Sequence, residues 1–253
     1  MKTMSKVFVG IGHGGSDPGA CANGLRESDI VLDMGLELTR ILRAHNVTVE
    51  ISRTKDISDD LTPKINRCNK FDPDLAVDLH INAGGGVGFE AFHYHKGGTS
   101  KVLAQNIEAE VKKMGQHSRG LKTRLNADGQ DYFGWIRMVN APSVILEAAF
   151  IDNVDDVQKI RTIEGRKKFA LAYAKGILNT LGIKYRENGS EGQENDMGAI
   201  YEKYEDIPEF GKPIIKKLMD KGALKGDSSG KINIPHEILR LYVVHDRLGV
   251  YDK

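Results

Sequence analysis

The chain has 253 residues, with 36 basic and 35 acidic side chains and a formal net charge of +1. That length accommodates one large domain, or a medium domain with a small companion. The even charge balance gives no footing for a nucleic-acid partner, and no run approaches the ~18 apolar residues of a membrane span, so no membrane partner is expected. Hydrophobic residues make up 40% of the chain, enough for a packed core. The two cysteines, Cys21 and Cys68, form neither a disulfide framework nor a CxxC knuckle and read as free thiols. The opening MKTMSKVFVGIG lacks a full apolar segment and a cleavage site, so no signal peptide is expected.

In chain order, residues 6–12 read as a buried strand. Residues 28–45 read as a helix, with Ser28 as N-cap and Ile30, Met34, Leu38, Ile41 and Leu42 at helical spacing. A strand follows at 47–52, then a short helix at 61–70 that Asp72-Pro73 ends. Strands are expected at 75–81 and 88–94, a helix at 100–114, strands at 132–139 and 143–149, and helices at 153–160 and 162–181. This alternation predicts an α/β fold: a twisted, mainly parallel sheet flanked by helices on both faces. Residues 184–200 are polar and glycine-bearing, the signature of a linker. Beyond them, 201–253 predicts a small helical domain with helices at 208–222 and 235–248. So small a unit buries little surface and would gain from a partner or from dimerisation.

Four polar residues end or follow these expected elements. His13 follows the first strand within GIGHGGSDPGA, His80 ends LAVDLH, Glu147 lies in SVILEA, and Glu27 sits in NGLRES before the first long helix. In a parallel sheet such ends converge on one rim. Two histidines and a carboxylate with an open fourth position make a catalytic zinc site, and a second carboxylate would serve as base. Hydrogen-bonded structural histidines, a solvated Glu27 and a salt-bridged Glu147 are the other readings of the same residues. Asp78, two before His80, shares its strand face and is a candidate partner for its second ring nitrogen. His93 and His95 read as a second metal site or as an exposed strand face. Tyr132, Phe133 and Trp135 read as stacking residues for a sugar or peptide, or as core.

GIGHGGSDPGA, NGLRES, DLHIN (residues 78–82) and PSVILEAAFIDN (residues 142–153) resemble, in order, four blocks of the zinc-dependent N-acetylmuramoyl-L-alanine amidases. ISRTKD (51–56), Arg67 and Asn69 extend the resemblance, which covers about residues 5–183. The resemblance implies a catalytic domain over 1–183 that hydrolyses the amide between the lactyl group of N-acetylmuramic acid and L-alanine in peptidoglycan. It makes His13, Glu27 and His80 the ligands of Zn2+ and Glu147 the catalytic carboxylate. Asn82, Tyr132 and Trp135 are then expected to bind substrate. No spare segment exists to cover the zinc, so an open site is expected.

YEDIPEFGKPIIKKLMDKGALKGDSSGKI resembles the opening of a surface-layer-homology module, though its second half departs from that pattern. Binding of a secondary cell-wall polymer, a homodimer contact and plain packing are all open to it. Size, accessory domain and the missing signal peptide together fit a phage or prophage endolysin released to the wall by a holin. A bacterial autolysin, a zinc exopeptidase of related fold and a wall-binding module with a degenerate site are the rivals.

Overall fold

The computed structural model describes residues 4–187, 200–208, 211–247 and 250–251. The chain divides into two units, residues 1–187 and 188–253. In chain order the first unit holds β1 (Lys6–Ile11), β2 (Cys21–Ala22), β3 (Leu25–Arg26), α1 (Glu27–Ala44), β4 (Thr48–Ile51), α2 (Leu61–Phe71) and β5 (Leu75–Asn82). It continues with β6 (Phe89–His93), α3 (Gly98–Lys113), β7 (Ser118–Lys122), α4 (Gly134–Met138), β8 (Ser143–Phe150), α5 (Val154–Ile160) and α6 (Ile163–Thr180).

Six strands form one sheet in the order β4-β1-β5-β8-β6-β7. All neighbours are parallel except β6 and β8, which run antiparallel. The sheet buries both faces, as its near-continuous apolar strands require. On one face Val7, Val9, Leu79, Val144 and Leu146 pack under α1, α3 and α6. On the other, Phe8, Ala76 and Ile145 pack under α2 and α4 with Trp135 and Ile136. The expected stripe of α1, Ile30 to Leu42, is buried along its length.

Three local differences from the sequence expectation have physical causes. Residues 132–139 hold helix α4 where a strand was expected, because Trp135, Ile136 and Val139 must all reach the same apolar cluster. Strand alternation would turn Trp135 and Ile136 to opposite faces. Helix α1 begins at Glu27 with Arg26 at the N-cap, and the Ser28 hydroxyl has no partner. Ser28 is therefore inside the first turn and does not cap it. The β2–β3 pair, not anticipated, turns at Asn23-Gly24, both at positive φ, the chemistry of a tight hairpin.

In the second unit, β9 (Ile200–Tyr201) pairs antiparallel with β10 (Ile234–Pro235), and α7 (Lys212–Asp220) and α8 (His236–Arg247) join a small core of Tyr201, Ile207, Ile215, Ile234 and Leu239. Most of the expected linker, and Leu248 at the expected end of the last helix, lie outside the described residues. Among the described residues no helix is long and apolar enough to cross a membrane.

Candidate functional site

His13, Glu27 and His80 meet at the carboxyl ends of β1 and β5. One ligand atom from each lies within 4.8 Å of the others. Glu27 is the centre of the group. Its Oε1 is 3.2 Å from His13 Nε2 and 3.0 Å from His80 Nδ1. It also accepts the Ile81 N–H at Oε1 and the Ala20 N–H at Oε2, both at 2.9 Å. Starting α1 at Glu27 puts this carboxylate in the first turn, where the helix N-terminus favours negative charge.

The glycines around His13 have a steric purpose. A Cβ on Gly12 would come within 2.4 Å of the His80 ring. One on Gly19, at φ 67, would meet the Glu27 carboxylate at 2.6 Å and the His13 ring at 2.8 Å. His13 itself takes φ 57, a left-handed conformation uncommon outside glycine and of the kind found at functional sites. Arg53 fixes the two segments that carry His13 and Glu27. Its buried Nη2 donates to Gly12 O at 3.0 Å and to Ser28 O at 2.7 Å.

Each histidine has a carboxylate behind it. His13 Nδ1 is 2.7 Å from Asp17 Oδ2, and His80 Nε2 is 3.3 Å from Asp78 Oδ2. Asp78 is in turn held by Lys64 Nζ at 2.8 and 2.9 Å, with both side chains buried. Such partners fix ring orientation and leave Nε2 of His13 and Nδ1 of His80 turned to a common point. Two imidazole nitrogens and one carboxylate oxygen at this spacing are a donor set suited to a divalent transition metal, with a coordination position left open.

The electrostatics follow from this packing. Burial opposes the charge on Glu27, but the two histidines outweigh it and hold the carboxyl far below its usual range. Burial also opposes the charge on His80, yet Asp78 and Glu27 push its pKa up to about 10. The hydrogen bond to Glu27 raises His13. Glu147 behaves oppositely: burial pushes it up to about 7, with Glu27 and Glu90 adding to the rise. It is the register partner of His80 on the adjacent strand β8, and its Oε2 is buried without a hydrogen-bond partner.

The remaining candidates separate. Asn82 shares the sheet face of His80, and its Nδ2 donates to Glu90 Oε2 at 3.3 Å. Tyr132 is exposed, with the Arg124 guanidinium 3.7 Å above its ring. Trp135 is 1% exposed and packs against Phe8, so it belongs to the core and is out of reach of substrate. His93 and His95 have separate partners, the Tyr94 carbonyl and the Asp131 carboxylate. Cys21 is exposed and Cys68 is buried, its thiol pushed up to about 12 by desolvation. Lys64 and Glu90 escaped the sequence reading; a charge inside a helix or strand carries no local sign that it will be buried against another.

Residues 7–179 match the family model Amidase_3, described as N-acetylmuramoyl-L-alanine amidase. The chain belongs to this family. An endolysin of Bacillus phage SPP1 is 36% identical over 203 residues, 76% of this chain and 72% of its own length. The N-acetylmuramoyl-L-alanine amidase CwlM of Bacillus licheniformis is 34% identical over 184 residues, 71% of this chain and 70% of its own. Among solved structures, Cwp6 from Clostridium difficile superposes with a TM-score of 0.70 at 33% identity, over 72% of this chain and 30% of that longer chain. The activity of this chain is accordingly that of an N-acetylmuramoyl-L-alanine amidase, and its mixed sheet with flanking helices is the fold shared with the amidase AmiC2 of Nostoc punctiforme, at a TM-score of 0.64 and 25% identity over 70% of this chain and 97% of that one.

Proposed function

We propose that the chain is a zinc-dependent peptidoglycan amidase of endolysin type, with His13 Nε2, Glu27 and His80 Nδ1 holding the ion and Glu147 moving the proton. The observation that carries the reading is the convergence of these three ligand atoms beside a buried carboxylate whose Oε2 has no partner. When bound, zinc supplies Lewis acidity toward the scissile carbonyl and toward water. Glu147 Oε2 takes a proton from the attacking water and passes it to the departing amide nitrogen of L-alanine. Burial raises this carboxyl above the ordinary carboxylate range, which suits a group that must both take and give a proton. Asp17 and Asp78 keep the rings of His13 and His80 aimed, and Lys64 and Arg53 hold that arrangement rigid.

The SPP1 relative, an endolysin, favours a role for this amidase at the wall in phage lysis. The Bacillus licheniformis relative favours the alternative, a bacterial autolysin of the same activity. The second unit, residues 201–253, keeps the enzyme on the wall through a secondary polymer or pairs two copies, raising the local concentration of the catalytic unit.

Metal analysis of the purified chain, with lysis of sacculi before and after chelation, tests this. The expected result is about one zinc per chain, with lysis lost on chelation and restored by zinc. Full lysis by metal-free protein contradicts the proposal.

A further inference from the structure

His80, Glu147 and Glu90 form a row across one face of the sheet. His80 is the register partner of Glu147 between β5 and β8, and Glu147 is that of Glu90 between β8 and β6. The next strand in the row is β7. Its ladder with β6 slips: Phe89 pairs with Ser118 but Ala91 with Leu121, so Glu90 faces two residues of β7. Gly120 takes φ 88 at that point. This is a β-bulge, and it re-aims side chains. Arg119 and Lys122 are three apart and would face opposite sides of a regular strand. The extra residue turns both toward Glu90.

Both cations bind the same oxygen. Lys122 Nζ is 2.6 Å from Glu90 Oε1, and Arg119 Nε also contacts it. Glu90 is buried, whereas the two cations are about one-third exposed. Two positive charges on one carboxylate leave one charge unmatched. The Arg119 guanidinium also lies 5.2 Å over the Phe150 ring. Fixed by Nε and by the ring, its two terminal nitrogens have no hydrogen-bond partner among the described residues. That is a pre-set fork for a carboxylate.

The position of the fork relative to Glu147 gives it a role, on the amidase reading above. Glu147 delivers its proton to the leaving nitrogen, so the released peptide lies on its side of the metal ligands and runs on over β6 and β7. From β8 to β7 is about 10 Å; one extended residue covers about 3.5 Å of it, and an acidic side chain on the next residue, met by the reach of Arg119 and Lys122, covers the rest. The groove on the other side of His80 is lined by Asp17, Asp59 and Asp60 with Ser16 and Ser58, and its Lys64 is bound to Asp78, so it offers acceptors and hydroxyls suited to a sugar. We propose that Arg119 and Lys122 form a carboxylate subsite for the leaving stem peptide, selecting an acidic residue directly after L-alanine.

The test uses the full chain and two substrates, N-acetylmuramoyl-L-alanyl-D-glutamate and its dicarboxamide. Wild type should prefer the acid in kcat/KM by about tenfold or more, as expected for a charged hydrogen bond. Arg119→Gln and Lys122→Met should each reduce that preference through KM. Each leaves one cation on Glu90, and rates on the dicarboxamide within about twofold of wild type show that the fold and the chemistry are intact. Arg119→Lys should restore part of the preference. Equal rates of wild type on both substrates, or equal losses by the variants on both, overturn the proposal. If wild type cleaves neither substrate, the amidase reading fails instead. Calorimetry with L-alanyl-D-glutamate then decides the subsite: binding lost in Arg119→Gln supports it, and no binding by wild type rejects it.

Discussion

Glu147→Gln keeps the shape of the side chain and removes its charge, and the structure gives it two opposite consequences. The carboxyl is displaced from an ordinary 4.5 to about 7, chiefly by burial. At ~1.4 kcal/mol per pKa unit, that corresponds to about 3 kcal/mol of folding free energy withheld when the group is ionised. The sign follows from which state holds the proton. Below pH 4.5 the group is neutral folded and unfolded, and glutamine confers nothing. As pH rises toward 7 the unfolded chain releases a proton that the folded one retains, so wild type loses stability. Above 7 the loss is complete. Metal-free Glu147→Gln should therefore match wild type near pH 4.5 and exceed it by up to about 3 kcal/mol at pH 8.5 in urea denaturation. The same variant should lose 10²- to 10⁴-fold in kcat, the usual worth of a general acid–base, while still binding zinc. Wild-type turnover in the variant, or a stability difference that does not grow with pH, would refute the role given to this residue.

Lys64→Met should strand the buried Asp78 charge under His80. A loss of about 3–5 kcal/mol is expected in urea denaturation, largely recovered by adding Asp78→Asn; a loss below about 1 kcal/mol contradicts the buried pair. Because His80 is held at about 10 and His13 is raised, zinc binding at pH 7 should displace about one proton or more per ion. Calorimetry in buffers of differing ionisation enthalpy measures this, and zero release contradicts the ligand assignment. Trp135→Ala should cost about 3–5 kcal/mol as a core deletion, whereas Tyr132→Ala should change stability by less than about 0.5 kcal/mol, with any functional effect appearing in KM. Equal thermal shifts in the two variants would contradict the assignment of Trp135 to the core.

The strands that position the site were legible because β1, β5 and β8 are continuous apolar runs, and because α1 shows its buried stripe at helical spacing. The histidines and Glu147 stood out as polar residues at the ends of those runs. What the sequence hid is non-local. Lys64 lies in an otherwise ordinary helix, and only the fold brings it under Asp78, 14 residues on. Arg53 lies in the ISRTKD segment that extends the resemblance, but its role shows only in its hydrogen bonds to Gly12 and Ser28. Strand β7, SRGLK, has neither alternation nor an apolar run, since its work is to carry a bulge and two cations. Helix α4 was read as a strand because five residues are too few to display a period.

The most direct test of the whole account is a sacculus digest by the full chain, with and without a chelator, assayed for new amino termini and for new reducing sugar. The account predicts new N-terminal L-alanine and no new reducing ends, abolished by chelation and restored by zinc. New termini at any other residue, reducing ends without free L-alanine, or cleavage indifferent to the chelator would contradict it.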